Sequence, residues 1–159
     1  MSMTPRIDVE QVIAPLRSAA WQAEAEARLQ ALVEISSHSA DRAGCQAMAG
    51  ALCELLALPD LSVERRPDAA GRHGDHVAAV SAAGAGPFVL LIGHHDTVFP
   101  AGAFSGYRVS EEGGVRRAHG PGVYDMKGGL VTIAFALRAL SAAGLLRRVP
   151  LRQIGRAHV

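Results

Sequence analysis

Five apolar residues, Phe88-Val89-Leu90-Leu91-Ile92, run without polar alternation straight into Gly93-His94-His95-Asp96-Thr97-Val98. A strand with no polar face is buried on both sides, as in the centre of an α/β sheet. This one is far too short to span a bilayer. Ligands of such sheets bind beyond the carboxyl ends of strands, so the polar residues after Ile92 stand where chemistry is expected. The flanking sequence fits the same architecture. Trp21, Ala25, Leu29, Leu32 and Ser36 fall at helical spacing. Ser36-Ser37-His38-Ser39 breaks that pattern with side chains that compete for backbone hydrogen bonds. A second helix is predicted over about 41–58, ended by Pro59. Strands are predicted over 61–65 and 76–81, and a hairpin over 107–110 and 115–119. Leu130, Ile133, Ala134, Leu137 and Leu140 make a helical stripe capped by Gly144, and another strand begins at 149–151. Strands alternating with helices predict a sheet sandwiched between helices.

Composition narrows the function. Hydrophobic residues make up 49% of the 159 and charged residues 19%, a balance that supports a packed core rather than disorder. A net charge of +1 argues against a nucleic-acid or anionic-membrane binder, which needs a strong basic excess. Aromatic residues, at 4%, are too few for a single-strand stacking platform. Cys45 and Cys53 sit eight apart in one predicted helix, about 12 Å along its axis, too far to bridge each other. A reducing compartment is the natural reading. No apolar signal region precedes Arg17, so the expected location is cytoplasmic. Of the sixteen basic residues only Lys127 is a lysine, which suggests a role that arginine cannot fill.

Two segments stand out chemically. In an extended chain His94 and Asp96 point to the same side. A metal-binding histidine usually gives its second ring N–H to a carboxylate or carbonyl, and a His-x-Asp pair can supply both parts. The plainer reading is a strand-end histidine that caps backbone groups. The second segment, Gly120-Pro121-Gly122-Val123-Tyr124-Asp125-Met126-Lys127-Gly128-Gly129, opens a helix. Its glycines allow sharp turns and close approach to a ligand, and Asp125 is favoured at the helix N-terminus. It can be read as a phosphate cradle, a metal site or ordinary helix-start chemistry. Neither the dinucleotide nor the Walker glycine pattern fits it.

Together, residues 90–98 and 120–129, with the hairpin between them and the helix after them, resemble the M20 metallopeptidases. This family includes glutamate carboxypeptidases and the acetylornithine deacetylase-like and succinyl-diaminopimelate desuccinylase-like enzymes. The run Asp96-Thr97-Val98-Phe99-Pro100 and Gly120-Pro121-Gly122 are most similar to the carboxypeptidase G2-like branch, and a weaker likeness extends back through 32–39. The resemblance implies an α/β three-layer sandwich around a mixed, mostly parallel central sheet, present here incompletely. It implies that His94 ligates a zinc ion, that Asp125 bridges two zinc ions with cobalt or manganese as substitutes, and that Asp96 is the catalytic residue orienting His94. It also implies a cis peptide bond after Asp125. The implied reaction is hydrolysis of an amide bond in a small peptide or an N-acyl amino acid, on a metal-bound water deprotonated by a glutamate. His95 is read as a bystander, His119 as structural, and His38, His73 and His76 as solvated loop residues.

The sequence departs from that pattern after the last helix. The glutamate base belongs to an Asp-Glu-Glu segment expected near position 158, but no glutamate follows Glu112. The strand is expected to break where Ile-Gly-Arg-Ala-His-Val begins, a hexapeptide that resembles a translated sequencing adapter. Residues 1–152 are therefore expected to be the N-terminal part of a catalytic domain, and 153–159 a non-native tail. The lid or dimerisation domain is expected to be missing, with homodimers confined to a longer protein and no hydrolysis by this chain alone. The alternative is a non-catalytic α/β module that binds an anionic ligand through 120–129.

Overall fold

Alternation along the strands and helices builds one layer of helices against one face of a sheet. The computed structural model describes residues 7–84, 86–104 and 106–156. Helix α1 (Val9–Ile13) leads through a tight turn to α2 (Ala19–Glu34), followed by α3 (Arg42–Leu55). Then come β1 (Leu61–Arg66), β2 (His76–Ser81), β3 (Val89–His94), β4 (Arg108–Glu112), β5 (Val115–His119), α4 (Gly128–Ala142) and β6 (Leu151–Arg156). In α3, Asp41 accepts the Gly44 N–H at 3.0 Å and caps the helix start. Its buried residues Cys45, Met48, Ala49 and Leu52 recur at i, i+3, i+4 and i+7, the spacing of a single face. In α4 the buried set is Leu130, Val131, Ala134, Phe135, Leu137 and Ala139. Trp21 of α2 meets Phe135 edge-on with ring centroids 5.8 Å apart, and the Arg138 guanidinium lies 4.6 Å over the Trp21 ring, both favourable aromatic arrangements.

The main sheet has the order β1-β2-β6-β3. It is mixed, as expected, but two of its three pairings are antiparallel, β1 with β2 and β2 with β6, and only β3 with β6 is parallel. The mostly parallel expectation fails because β1 and β2 are joined without a crossover helix, which leaves antiparallel pairing as the short connection. Ser81 fastens the start of β6 to the end of β2: its hydroxyl donates to the Val149 carbonyl at 2.7 Å and accepts the Leu151 N–H at 2.9 Å.

Two expectations about individual strands are corrected. The apolar strand β3 is not central but lies at the sheet edge, with Leu90 44% and Ile92 61% exposed. Its composition cannot reveal this, because burial of a strand depends on which strands and helices reach it. The strand β6 does not break at Ile154. It stays in register from Leu151 to Arg156 beside β3, so four residues of the segment set apart as a tail belong to the sheet; 157–159 lie outside the described residues. The hairpin of β4 and β5 forms a separate two-stranded sheet, as expected. No described helix is long and apolar enough to cross a membrane.

Candidate metal centre

The parallel strands β3 and β6 end together, and the His95 N–H donates to the Arg156 carbonyl at 2.8 Å. Gly93 allows the loop that carries Asp125 to reach this end. A Cβ there would lie 2.8 Å from Leu130 Cδ2 and 3.0 Å from Met126 Cε. The loop needs Gly122 for two reasons. Its φ of 76° is in the left-handed region, and a Cβ would meet Thr97 Cγ2 at 2.9 Å and Lys127 Cγ and Cδ at 3.1 Å. The peptide bond between Asp125 and Met126 is cis, as the resemblance implied.

Residues 31 apart in sequence thereby meet. His94 Nε2 lies 2.9 Å from Asp125 Oδ1. On its other side, His94 Nδ1 lies 3.1 Å from the Asp96 carbonyl oxygen and 3.4 Å from Asp96 Oδ1. Burial works against a charged imidazole, but the Asp125 hydrogen bond, the Asp96 carbonyl and both carboxylate charges outweigh it and raise the His94 pKa above its ordinary value. The Asp96 side chain is buried, the His94 ring is 22% exposed and the Asp125 side chain is 79% exposed. Ser39, His94, Asp96, Thr97, Val98, Phe99 and Asp125 line a cavity of about 290 Å³. A larger cavity of about 550 Å³, between α2, the hairpin and the start of α4, includes neither His94 nor Asp125 among its lining residues.

The pair offers an imidazole nitrogen and a carboxylate oxygen on one open surface, the donor types a divalent metal takes. Among the described residues, no group of three or more His, Cys, Asp or Glu side chains is arranged to hold a metal ion, so the two donors fit part of a metal shell.

The other histidines have different places. His95 is fully buried, its Nε2 lies 3.0 Å from the Asp75 carbonyl, and burial lowers its pKa. It is a packed interior residue. His119 Nε2 pairs with Ser110 Oγ at 2.7 Å within the hairpin, the structural place expected. His38 and His73 lie in loops, as expected, but are half-buried, and the half-buried His76 opens β2 rather than lying in a loop, which corrects the expectation for that residue.

Lys127 was conspicuous in the sequence, but its partners were not. Its side chain is fully buried, and Nζ donates to the carbonyls of Leu32 at 3.0 Å and Ile35 at 2.7 Å. These lie at the C-terminal end of α2, where helix carbonyls lack partners and a cation is favoured. Burial lowers its pKa to about 8, with the nearby Cys45 charge opposing. A compact ammonium suits this narrow slot better than a planar guanidinium. It also turns the loop's one cation away from solvent, where an anionic ligand would bind. The residues that sequence reasoning missed are Ser37 and Ser39, which bond to 95–97. They read only as a break between helices, and no local signal showed what they meet.

Residues 90–156 match the model of peptidase family M20/M25/M40. No curated protein matches the chain significantly. Among solved structures, the chain is similar to human carnosine dipeptidase 1, with a TM-score of 0.72 and 22% identity, over 96% of this chain and 35% of that one. It is also similar to the dipeptidase Dug1p from Saccharomyces cerevisiae, with a TM-score of 0.67 and 19% identity, over 94% and 34%. A third is the M20 family metallo-carboxypeptidase Sso-CP2 from Sulfolobus solfataricus, with a TM-score of 0.62 and 20% identity, over 84% and 30%. The chain thus spans about a third of the length of these structures.

Proposed function

We propose that this chain, whose residues 90–156 match the model of peptidase family M20/M25/M40, is the N-terminal part of a dizinc hydrolase for an amide bond in a small peptide or an N-acyl amino acid. The observation that carries the reading is the meeting of His94 Nε2 and Asp125 Oδ1 at 2.9 Å beyond the carboxyl end of β3. His94 would hold one metal ion through Nε2, and Asp125 would bridge two through its two oxygens. Asp96 lies against the opposite ring nitrogen, a support that would direct Nε2 to the metal once a bound ion replaces its hydrogen bond to Asp125. When bound, zinc supplies an acidified water and polarisation of the scissile carbonyl. The exposed Asp125 carboxylate and the open cavity beside it leave room for a substrate to approach. A base to deprotonate the water is the function of a glutamate, and no glutamate follows Glu112. The chain by itself is therefore proposed to bind zinc weakly and to turn over no substrate.

Zinc titration followed by calorimetry tests this. Weak binding is expected in the 159-residue chain, and none in His94→Ala or Asp125→Ala. Equal binding in all three would sink the metal assignment. Hydrolysis of dipeptides or N-acyl amino acids by the chain, lost in His94→Ala, would overturn the proposed inactivity.

A further inference from the structure

The segment between α2 and α3 is laced to the end of β3. The Thr97 N–H donates to the Ser37 carbonyl at 2.8 Å, and the Ser39 N–H donates to the Thr97 carbonyl at 2.9 Å. The Ser37 hydroxyl donates to the His95 carbonyl at 2.9 Å. Gly44 keeps the start of α3 close against this segment, since a Cβ there would lie 2.1 Å from the Ser36 carbonyl oxygen. The position of Ser39 is therefore set by backbone contacts on two sides.

The Ser39 hydroxyl has one proton and two acceptors in reach, Asp96 Oδ2 at 2.5 Å and the Thr97 carbonyl at 3.2 Å. The shorter contact, to a charged acceptor, is the stronger one. Asp96 is only 5% exposed, and a buried carboxylate is costly unless its oxygens are satisfied. His94 Nδ1 lies 3.1 Å from the Asp96 carbonyl oxygen and, with Oδ2 taken by Ser39, 3.4 Å from Oδ1, while His94 Nε2 is left 2.9 Å from Asp125.

We propose that Ser39 is a positioning residue, whose hydroxyl holds Asp96 so that this residue, through its carbonyl and its carboxylate together, fixes the His94 ring with Nε2 toward Asp125. It acts through two other side chains. The consequence for metal binding rests on the reading of His94 and Asp125 as ligands, whereas the orientation of the ring does not.

The test uses the 159-residue chain labelled with 15N-histidine. In the metal-free protein, His94→Ala identifies the His94 imidazole signals in a long-range 1H–15N spectrum. Ser39→Ala is expected to move them, and Ser39→Thr, which keeps the hydroxyl, to leave them in place. Should Ser39→Ala not fold, Ser39→Cys, close in size and a far weaker donor, takes its place with the same expectation. Unmoved His94 signals overturn the proposal, as does a Ser39→Thr shift equal to that of Ser39→Ala. In a Co2+ titration, Ser39→Ala is expected to bind roughly 10–100-fold more weakly, the usual cost of losing an outer support of a ligand, and Ser39→Thr within about threefold of the parent. Equal Co2+ affinity in the parent and Ser39→Ala also overturns it. If the parent holds no more Co2+ than His94→Ala, the metal reading fails, and the imidazole spectrum still decides the role of Ser39.

Discussion

The two faces of the main sheet differ sharply. On one, Leu61, Val77, Ala79 and Leu151 are buried together with Leu52 and Met48 of α3 and Leu130 and Leu137 of α4. On the other, Leu90, Ile92, Val80 and Arg152 are exposed, and no described helix covers them. The apolar character of Leu90 and Ile92 matches a strand covered on both sides, yet it adds little to the stability of this chain. Hydrophobic side chains stabilise a fold only through the apolar surface they remove from water.

Substitutions on the two faces should separate most widely. Leu52→Ala, on the helix-covered face, is expected to cost about 2–5 kcal/mol, through lost burial and the cavity left behind. Ile92→Thr, on the open face, should change stability by no more than about 0.5 kcal/mol. Urea denaturation midpoints at equal slope measure both. A comparable loss for Ile92→Thr would mean that the outer face is covered in solution.

The next effect concerns Cys45, under the helix layer. Burial, with the charges of Asp96 and Asp41, raises its thiol pKa to about 11 from an ordinary 9.0. At pH 8 its thiolate is about a hundredfold scarcer than that of an unperturbed thiol. A colorimetric disulfide reagent should therefore modify Cys45 only as fast as the chain unfolds, and the partly exposed Cys53 sooner. Between about pH 9 and 11 the folded thiol keeps a proton that the unfolded chain releases, so this group makes stability fall as pH rises across that window. Rapid native-state labelling of both thiols would contradict the placement of Cys45.

The smallest expected change is a gain. Gln153 is the exception on the covered face: it is 1% exposed, and neither its amide nitrogen nor its amide oxygen has a partner. A buried polar group left unpaired costs about 1–3 kcal/mol. Gln153→Leu should recover about that much, read as a higher thermal midpoint. A loss of stability would show that the amide is satisfied in solution.

Much of the fold was legible because periodicity is a local property. Strands predicted at 61–65, 76–81 and 115–119 match β1, β2 and β5 to within a residue. The helix predicted over 41–58 begins after its Asp41 cap but stops at Leu55, since its final turn gives way before Pro59. The residues proposed as ligands were legible too, as two short segments at the ends of predicted elements. The edge position of β3, the interior place of His95 and the strand through Gln153 were not, because each depends on pairing between distant parts of the chain.

The sequence by itself determined where most helices and strands form, that His94 and Asp96 follow an apolar strand, and that Asp125 opens a helix. Only the tertiary structure decided that His94 and Asp125 touch, that Lys127 closes the end of α2, and that Ser39 grips Asp96. The backbone pattern of a segment is set by its neighbours in the chain, whereas the partner of a buried polar atom is set by which distant segment the core brings within about 3 Å.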